Sequence, residues 1–167
     1  MECIVNVTED WGIGLGDRLL VSLKPDLQRF RELTTGKTVL LGRKTLATFP
    51  GGRPLAGRRN LVLSTNPDLE IAGAEVFHSL PALLARCRQL APEELMVIGG
   101  QQVYEQLLPY CARAQVTRTR LRPPADRFFP DLDALPGWRR TEAGPWQTWE
   151  GTAFRYETYV QDRPRPL

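Results

Sequence analysis

The sequence predicts an α/β domain, and three observations carry that prediction. Short apolar runs suited to strands buried on both faces recur along the chain, as in Thr38–Leu41 and Leu95–Ile98. Stretches with helical, 3.6-residue spacing of apolar side chains alternate with them. The length of 167 residues suits one domain with a core that needs no disulfide or metal staple.

Taken in order, Cys3–Val7 reads as the first strand and is followed by a glycine-rich loop, Trp11-Gly12-Ile13-Gly14-Leu15-Gly16. Pro25 opens a helix running to Thr34, because proline in a first turn loses no hydrogen bond. Thr38–Leu41 is a strand stopped by Gly42, and Leu61–Ser64 is another. Ser79 caps a helix whose Leu80, Leu83, Leu84, Cys87 and Leu90 form one stripe. Leu95–Ile98 is a buried strand broken by Gly99-Gly100, and Val103–Leu108 reads as a helix. Gln115–Arg120 and Ala153–Val160 alternate as late strands, the second with Phe154, Tyr156, Thr158 and Val160 on one face. No repeat and no linker divides residues 1–161, and the proline-containing tail 162–167 reads as a frayed or extended end.

Composition excludes several classes. Hydrophobic residues make up 42% and net charge is only +3, which disfavours disorder. No apolar run approaches the ~20 residues of a membrane span, and Glu2, Glu9 and Asp10 interrupt any secretory signal core. Cys3, Cys87 and Cys111 are odd in number without metal-like spacing, and His78 is the single histidine, so no metal site is expected. Reduced, buried thiols point to a cytoplasmic protein.

Of the 22 basic residues only Lys24, Lys37 and Lys44 are lysines; the remaining 19 are arginines. Arginine suits bidentate recognition of carboxylates and phosphates, but solvated surface arginines are the commoner case. Nucleic-acid binding would need a clustered basic face, and only Arg118, Arg120 and Arg122 alternate on one expected strand. A nucleic-acid partner is therefore not expected.

Position singles out Asp26. Advancing about 100° per residue from Asp26 puts Leu33, Phe30, Thr34 and Leu27 within an apolar arc that contains the acid, with Gln28, Arg31 and Glu32 opposite. Two readings fit. An acidic residue is favoured in a first helical turn; equally, a carboxylate among apolar walls can grip a planar heterocycle that presents two N–H donors.

Three strand ends carry phosphate-compatible chemistry. Gly99-Gly100, followed by Gln101, Gln102, Val103 and Tyr104, lets backbone approach a ligand or simply makes a turn. Gly42-Arg43-Lys44-Thr45 combines cations with a hydroxyl, and Leu63-Ser64-Thr65 supplies two more hydroxyls. Together they suggest a dinucleotide across the carboxyl edge of the sheet, and Arg43 with Lys44 suits the extra phosphate of NADPH.

With these stretches the sequence resembles dihydrofolate reductase. The resemblance is carried by Trp11-Gly12-Ile13-Gly14, Pro25-Asp26-Leu27 with Phe30 and Thr34, Gly42-Arg43-Lys44-Thr45 and Arg53-Pro54-Leu55. It continues through Gly57-Arg58-Arg59-Asn60, Val97-Ile98-Gly99-Gly100 with Val103-Tyr104, Thr117, and Phe129-Pro130-Asp131, from Ile4 to about Val160.

The resemblance implies a single domain with a predominantly parallel central sheet, an antiparallel C-terminal strand and helices on both faces. It implies NADPH-dependent reduction of 7,8-dihydrofolate to tetrahydrofolate, by hydride transfer to C6 with protonation at N5, in a monomer. By carry-over, Asp26 holds the pterin 2-amino group and N3, Thr117 braces it, and Ile4, Leu27, Phe30 and Ile98 wall the substrate. Arg58 takes the glutamate α-carboxylate. For the cofactor the resemblance implies Asn6, Ile13, Gly14, Arg43, Lys44, Thr45, Leu63, Ser64, Thr65, His78, Gly99, Gly100 and the run Gln101 to Tyr104. The Gly99–Gly100 peptide is cis in the family, and Ile13 to Leu20 form its mobile loop.

Departures from the family pattern are Val21 where many members carry tryptophan, Asn6 where a small alanine is usual, Arg127 for a hydroxyl residue, and Gln101 for a third glycine. A relative reducing another pterin or a riboflavin-pathway intermediate on the same fold is the alternative enzyme reading, against which Asp26 and Arg58 argue.

Overall fold

The computed structural model describes residues 1–167. Its strands are β1 (Glu2–Val7), β2 (Gly12–Leu15), β3 (Arg18–Leu19), β4 (Thr38–Gly42), β5 (Arg59–Leu63), β6 (Glu75–Phe77), β7 (Leu95–Gly99), β8 (Arg113–Thr119), β9 (Arg127–Phe128), β10 (Trp138–Ala143), β11 (Gln147–Trp149) and β12 (Thr152–Gln161). The helices are α1 (Lys24–Thr34), α2 (Arg43–Ala47), α3 (Leu80–Cys87) and α4 (Gln101–Leu107).

The main sheet runs β10-β12-β8-β1-β7-β4-β5-β6. Every pairing from β8 to β6 is parallel, and β12 closes that side antiparallel to β8. The expected antiparallel C-terminal strand is thus present, but two shorter strands, β10 and β11, pair antiparallel with it as well. Nothing in the pattern of β10 announces them: after Trp138 its residues are all exposed, so no apolar alternation marks the strand.

The central parallel strands β4 and β7 are mainly apolar and buried because both their faces are covered. Successive residues feed opposite clusters. Ile4, Val39, Leu41, Val62, Met96 and Ile98 pack on one side with Leu46 of α2 and with Phe30 and Leu33 of α1. Cys3, Val5, Leu40, Leu61 and Val97 pack on the other with Leu83, Leu84 and Cys87 of α3 and Val103 and Leu107 of α4. Ser79 caps α3, its hydroxyl oxygen accepting from the Ala82 N–H at 3.3 Å.

In β12 Phe154, Tyr156, Thr158 and Val160 share one face as expected, and the opposite face is buried too, at Glu157 and Tyr159. Three expectations need correction. Arg118, Arg120 and Arg122 form no basic face: β8 ends at Thr119, Arg118 is buried against Glu157, Arg120 stacks on Trp146, and Arg122 pairs with Glu9. Leu27 is 54% exposed rather than buried in the apolar arc of α1. The tail is extended but tied down, since the Arg165 N–H donates to the Pro109 carbonyl at 2.8 Å and Leu167 packs against the core.

Candidate active site

Asp26 lies in the first turn of α1, and its carboxylate meets the β1–β8 pair. The Thr117 hydroxyl donates to Asp26 Oδ1 at 2.6 Å, and Asn6 Nδ2 donates to Oδ2 at 2.9 Å. No cation forms an ion pair with Asp26. The nearest arginine on the helix, Arg29, instead lies over the Tyr156 ring at 4.0 Å, and burial lowers its pKa from the ordinary arginine value. A carboxylate offers about four lone-pair sites, so two remain beyond those taken by the protein.

Ile4, Phe30 and Ile98 belong to the apolar cluster on this side of the sheet, so the acid sits beside an apolar wall. Arg58 lies at the other end of α1, where its Nη1 donates to the Thr34 hydroxyl at 3.4 Å and its Nε to the Ala56 carbonyl at 2.9 Å. Thr34 is eight residues beyond Asp26, or about 12 Å along the helix axis. Arg58 has no acidic partner, and its pKa is lowered by burial and then by the neighbouring Arg31 charge. It is an unneutralised cation lining a hollow with Arg53, Pro54 and Leu55.

A separate cleft of about 620 Å³ runs along the carboxyl ends of the parallel strands. It brings together Ile13, Gly14, Arg43, Lys44, Thr45, Leu63, Ser64, Thr65, His78, Gly100, Gln101, Gln102 and Val103 from five separate segments of the chain. Arg43 and Lys44 are exposed and carry no ion pair, so both charges face the cleft unneutralised. His78 Nδ1 lies 3.0 Å from the Ser64 carbonyl, which ties two cleft segments together.

The Gly99–Gly100 peptide is cis. Gly99 adopts a φ of +129°, and a Cβ on Gly100 would come within 3.2 Å of the Thr45 hydroxyl, so backbone alone fits between the two phosphate-compatible segments.

Three residues expected at the cofactor do not line this cleft. Gly99 is buried against Tyr104. Tyr104 is itself a core residue, 4% exposed, whose hydroxyl donates to the Ile4 carbonyl at 2.7 Å and whose pKa burial holds well above the usual tyrosine value. Asn6 spends its amide on Asp26 and on the Thr119 hydroxyl.

The segment from Ile13 to Leu20 is a hairpin in which β2 pairs with both β3 and β9. Asp126 pins it: its carboxylate accepts from the Gly16 N–H at 3.0 and 3.1 Å, and its own N–H donates to the Gly14 carbonyl at 3.0 Å. The Phe128 N–H donates to Gln101 Oε1 at 2.9 Å, joining β9 to the start of α4. Asp126, Thr48, Leu80 and Gln106 also line the cleft and carried no signal in the sequence, since only tertiary pairing brings them there.

Comparison with known proteins places this geometry. A family model described as dihydrofolate reductase matches residues 1–163. The dihydrofolate reductase of Mycobacterium tuberculosis is 39% identical over 155 residues, covering 90% of each chain. That of Neisseria meningitidis is 35% identical over 159 residues, covering 95% of this chain and 96% of the relative. A solved dihydrofolate reductase from Enterococcus faecalis, complexed with NADP(H) and RAB-propyl, superposes with a TM-score of 0.85 at 33% identity, over 97% of this chain and 96% of the other.

Proposed function

The chain belongs to the dihydrofolate reductase family, and on that premise we propose how its own residues serve NADPH-dependent reduction of 7,8-dihydrofolate to tetrahydrofolate. Asp26 takes the 2-amino and N3 edge of the pterin on its two remaining lone-pair sites. Its negative charge, beside an apolar wall where screening by water is weak, favours the protonated form of the bound ring. Ile4, Phe30 and Ile98 pack the rings. Arg58 forks onto the glutamate α-carboxylate, and the roughly 12 Å between the two ends of α1 leaves room for the aminobenzoyl spacer.

The cleft fits NADPH. The unpaired cations Arg43 and Lys44, the hydroxyls of Thr45, Ser64 and Thr65, and the glycine contact at Thr45 suit a polyphosphate that needs charge and close backbone approach. When bound, NADPH supplies the hydride. Arg43 and Ser64 hold the 2′-phosphate, while Lys44, Thr45 and Gln101 to Val103 serve the pyrophosphate and ribose. The hairpin pinned by Asp126 screens the nicotinamide end from water. We take residues 1–161 as the reductase domain and place the protein in the cytoplasm, where its three buried free cysteines stay reduced.

The observation that carries this reading is a carboxylate held only by neutral donors in the first turn of α1, with an arginine that lacks an acid docked on Thr34 at the other end of that helix. NADPH oxidation should be measured with dihydrofolate, with a tail-less dihydropterin, and with neither. Arg58→Leu should lower kcat/KM for dihydrofolate by about 10- to 100-fold and leave the tail-less pterin nearly unchanged. Equal losses on both substrates would make Arg58 a structural residue.

A further inference from the structure

Asn6 stands on β1 in register with Thr117 of β8, and the structure gives it partners on both sides of its amide. A carboxylate only accepts hydrogen bonds, so the NH2 end must face Asp26 Oδ2, at 2.9 Å. The carbonyl end then accepts from the Thr119 hydroxyl at 2.8 Å. Thr117 fixes the other carboxylate oxygen at 2.6 Å. Thr119, Asn6 and Thr117 are therefore neutral donors in one hydrogen-bonded chain that converges on Asp26 and holds both oxygens of the acid from two neighbouring strands. Asn6 does not line the cofactor cleft.

We propose that Asn6 is a positioning residue for the substrate half of the site: its amide sets the plane of the Asp26 carboxylate, so that a ligand with two coplanar N–H donors finds both oxygens aligned. This rests on the reading that Asp26 grips the pterin edge. Asn6 acts through Asp26 and makes no demand on the cofactor. Without the amide, Oδ2 loses a charge-assisted donor and the carboxylate is free to rotate about its last torsion.

A double-mutant cycle with Asn6→Ala and Asp26→Ala tests the proposal, using steady-state kinetics, fluorescence titration of folate, and a separate titration of NADPH. Asn6→Ala should raise KM for dihydrofolate about tenfold, change kcat less than about threefold, and leave the Kd of NADPH within about twofold. In the Asp26→Ala background the same substitution should change folate affinity less than about twofold. Asn6→Leu keeps the branched shape while removing both polar atoms, and it should reproduce the KM effect even where Asn6→Ala disturbs packing.

Equal losses on removing Asn6 with and without Asp26 overturn the positioning role and leave the Asp26 reading standing. So does a loss in NADPH affinity with folate affinity intact. If Asp26→Ala leaves folate affinity unchanged, the reading of Asp26 fails and this inference with it.

Discussion

Successive residues of β8 serve two carboxylates on opposite faces of the sheet. Thr117 donates to Asp26, and Arg118 reaches Glu157. Asp26 is half-buried and receives one hydroxyl and one amide, both neutral. Glu157 is 1% exposed and takes three arginines: Arg118 at 3.2 Å, Arg140 at 3.3 Å and Arg155 at 2.8 Å. Arg118 also stacks over the Trp11 ring at 4.0 Å, next to the glycine loop.

On the proposed function, the difference separates a structural acid from the one that meets the substrate. Cations compensate the charge of Glu157 and occupy both its oxygens, as full burial requires. Neutral donors orient Asp26 without neutralising it, which leaves its charge and two lone-pair sites for a ligand.

The contrast breaks most visibly at Glu157. Glu157→Ala leaves three arginines around an uncompensated hole and should cost about 3–5 kcal/mol of stability, with kcat/KM per folded molecule nearly intact. Urea unfolding together with active-site titration reads both quantities. A stability loss below about 1 kcal/mol would mean that the cluster is solvated rather than structural.

Asp26→Asn should do the reverse. It keeps the shape, and its amide can still accept from Asn6 while donating to the Thr117 hydroxyl, so the melting temperature should barely move, while kcat/KM for dihydrofolate at neutral pH falls about 100-fold. Wild-type turnover in that variant would erase the distinction between the two acids.

The smallest effect lies beside Glu157. Burial first, and then the hydrogen bond to Asp133, raise the Tyr159 pKa above its ordinary value. A raised tyrosine contributes stability that is present below the unfolded value of about 10 and is lost as pH rises beyond it. Unfolding free energy should therefore decline from pH 9 to 11, and Tyr159→Phe should make that decline shallower, with Tyr104, Tyr156, Cys3 and Cys87, also raised by burial, carrying the remainder. An unchanged slope in the variant would remove Tyr159 from the cluster.

Much of this was legible in the chain. The central parallel strands β4 and β7 announce themselves as short apolar runs, and Asp26 stands out because helical periodicity places it beside Phe30 and Leu33, whereas the short strand β6 carries no such signal. The glycine, cation and hydroxyl clusters at three strand ends were equally local signals. Glu157 was not legible: it occupies a polar position of an alternating strand, and its burial depends on Arg118, 39 residues away, and on Arg140.

The sequence by itself determined the central strands, the helices α1, α3 and α4, and which residue types stand at the strand ends, because those follow from spacings of two to four residues, whereas short strands such as β6, β10 and β11 follow only from their pairing. Only the tertiary structure decided what each polar group meets. Asp26 and Thr117 are 91 positions apart, Gly16 and Asp126 110, and Asn6 and Asp26 20. Such pairings depend on strand register and on the packing of α1 against the sheet, and no local periodicity encodes which donor a carboxylate will find.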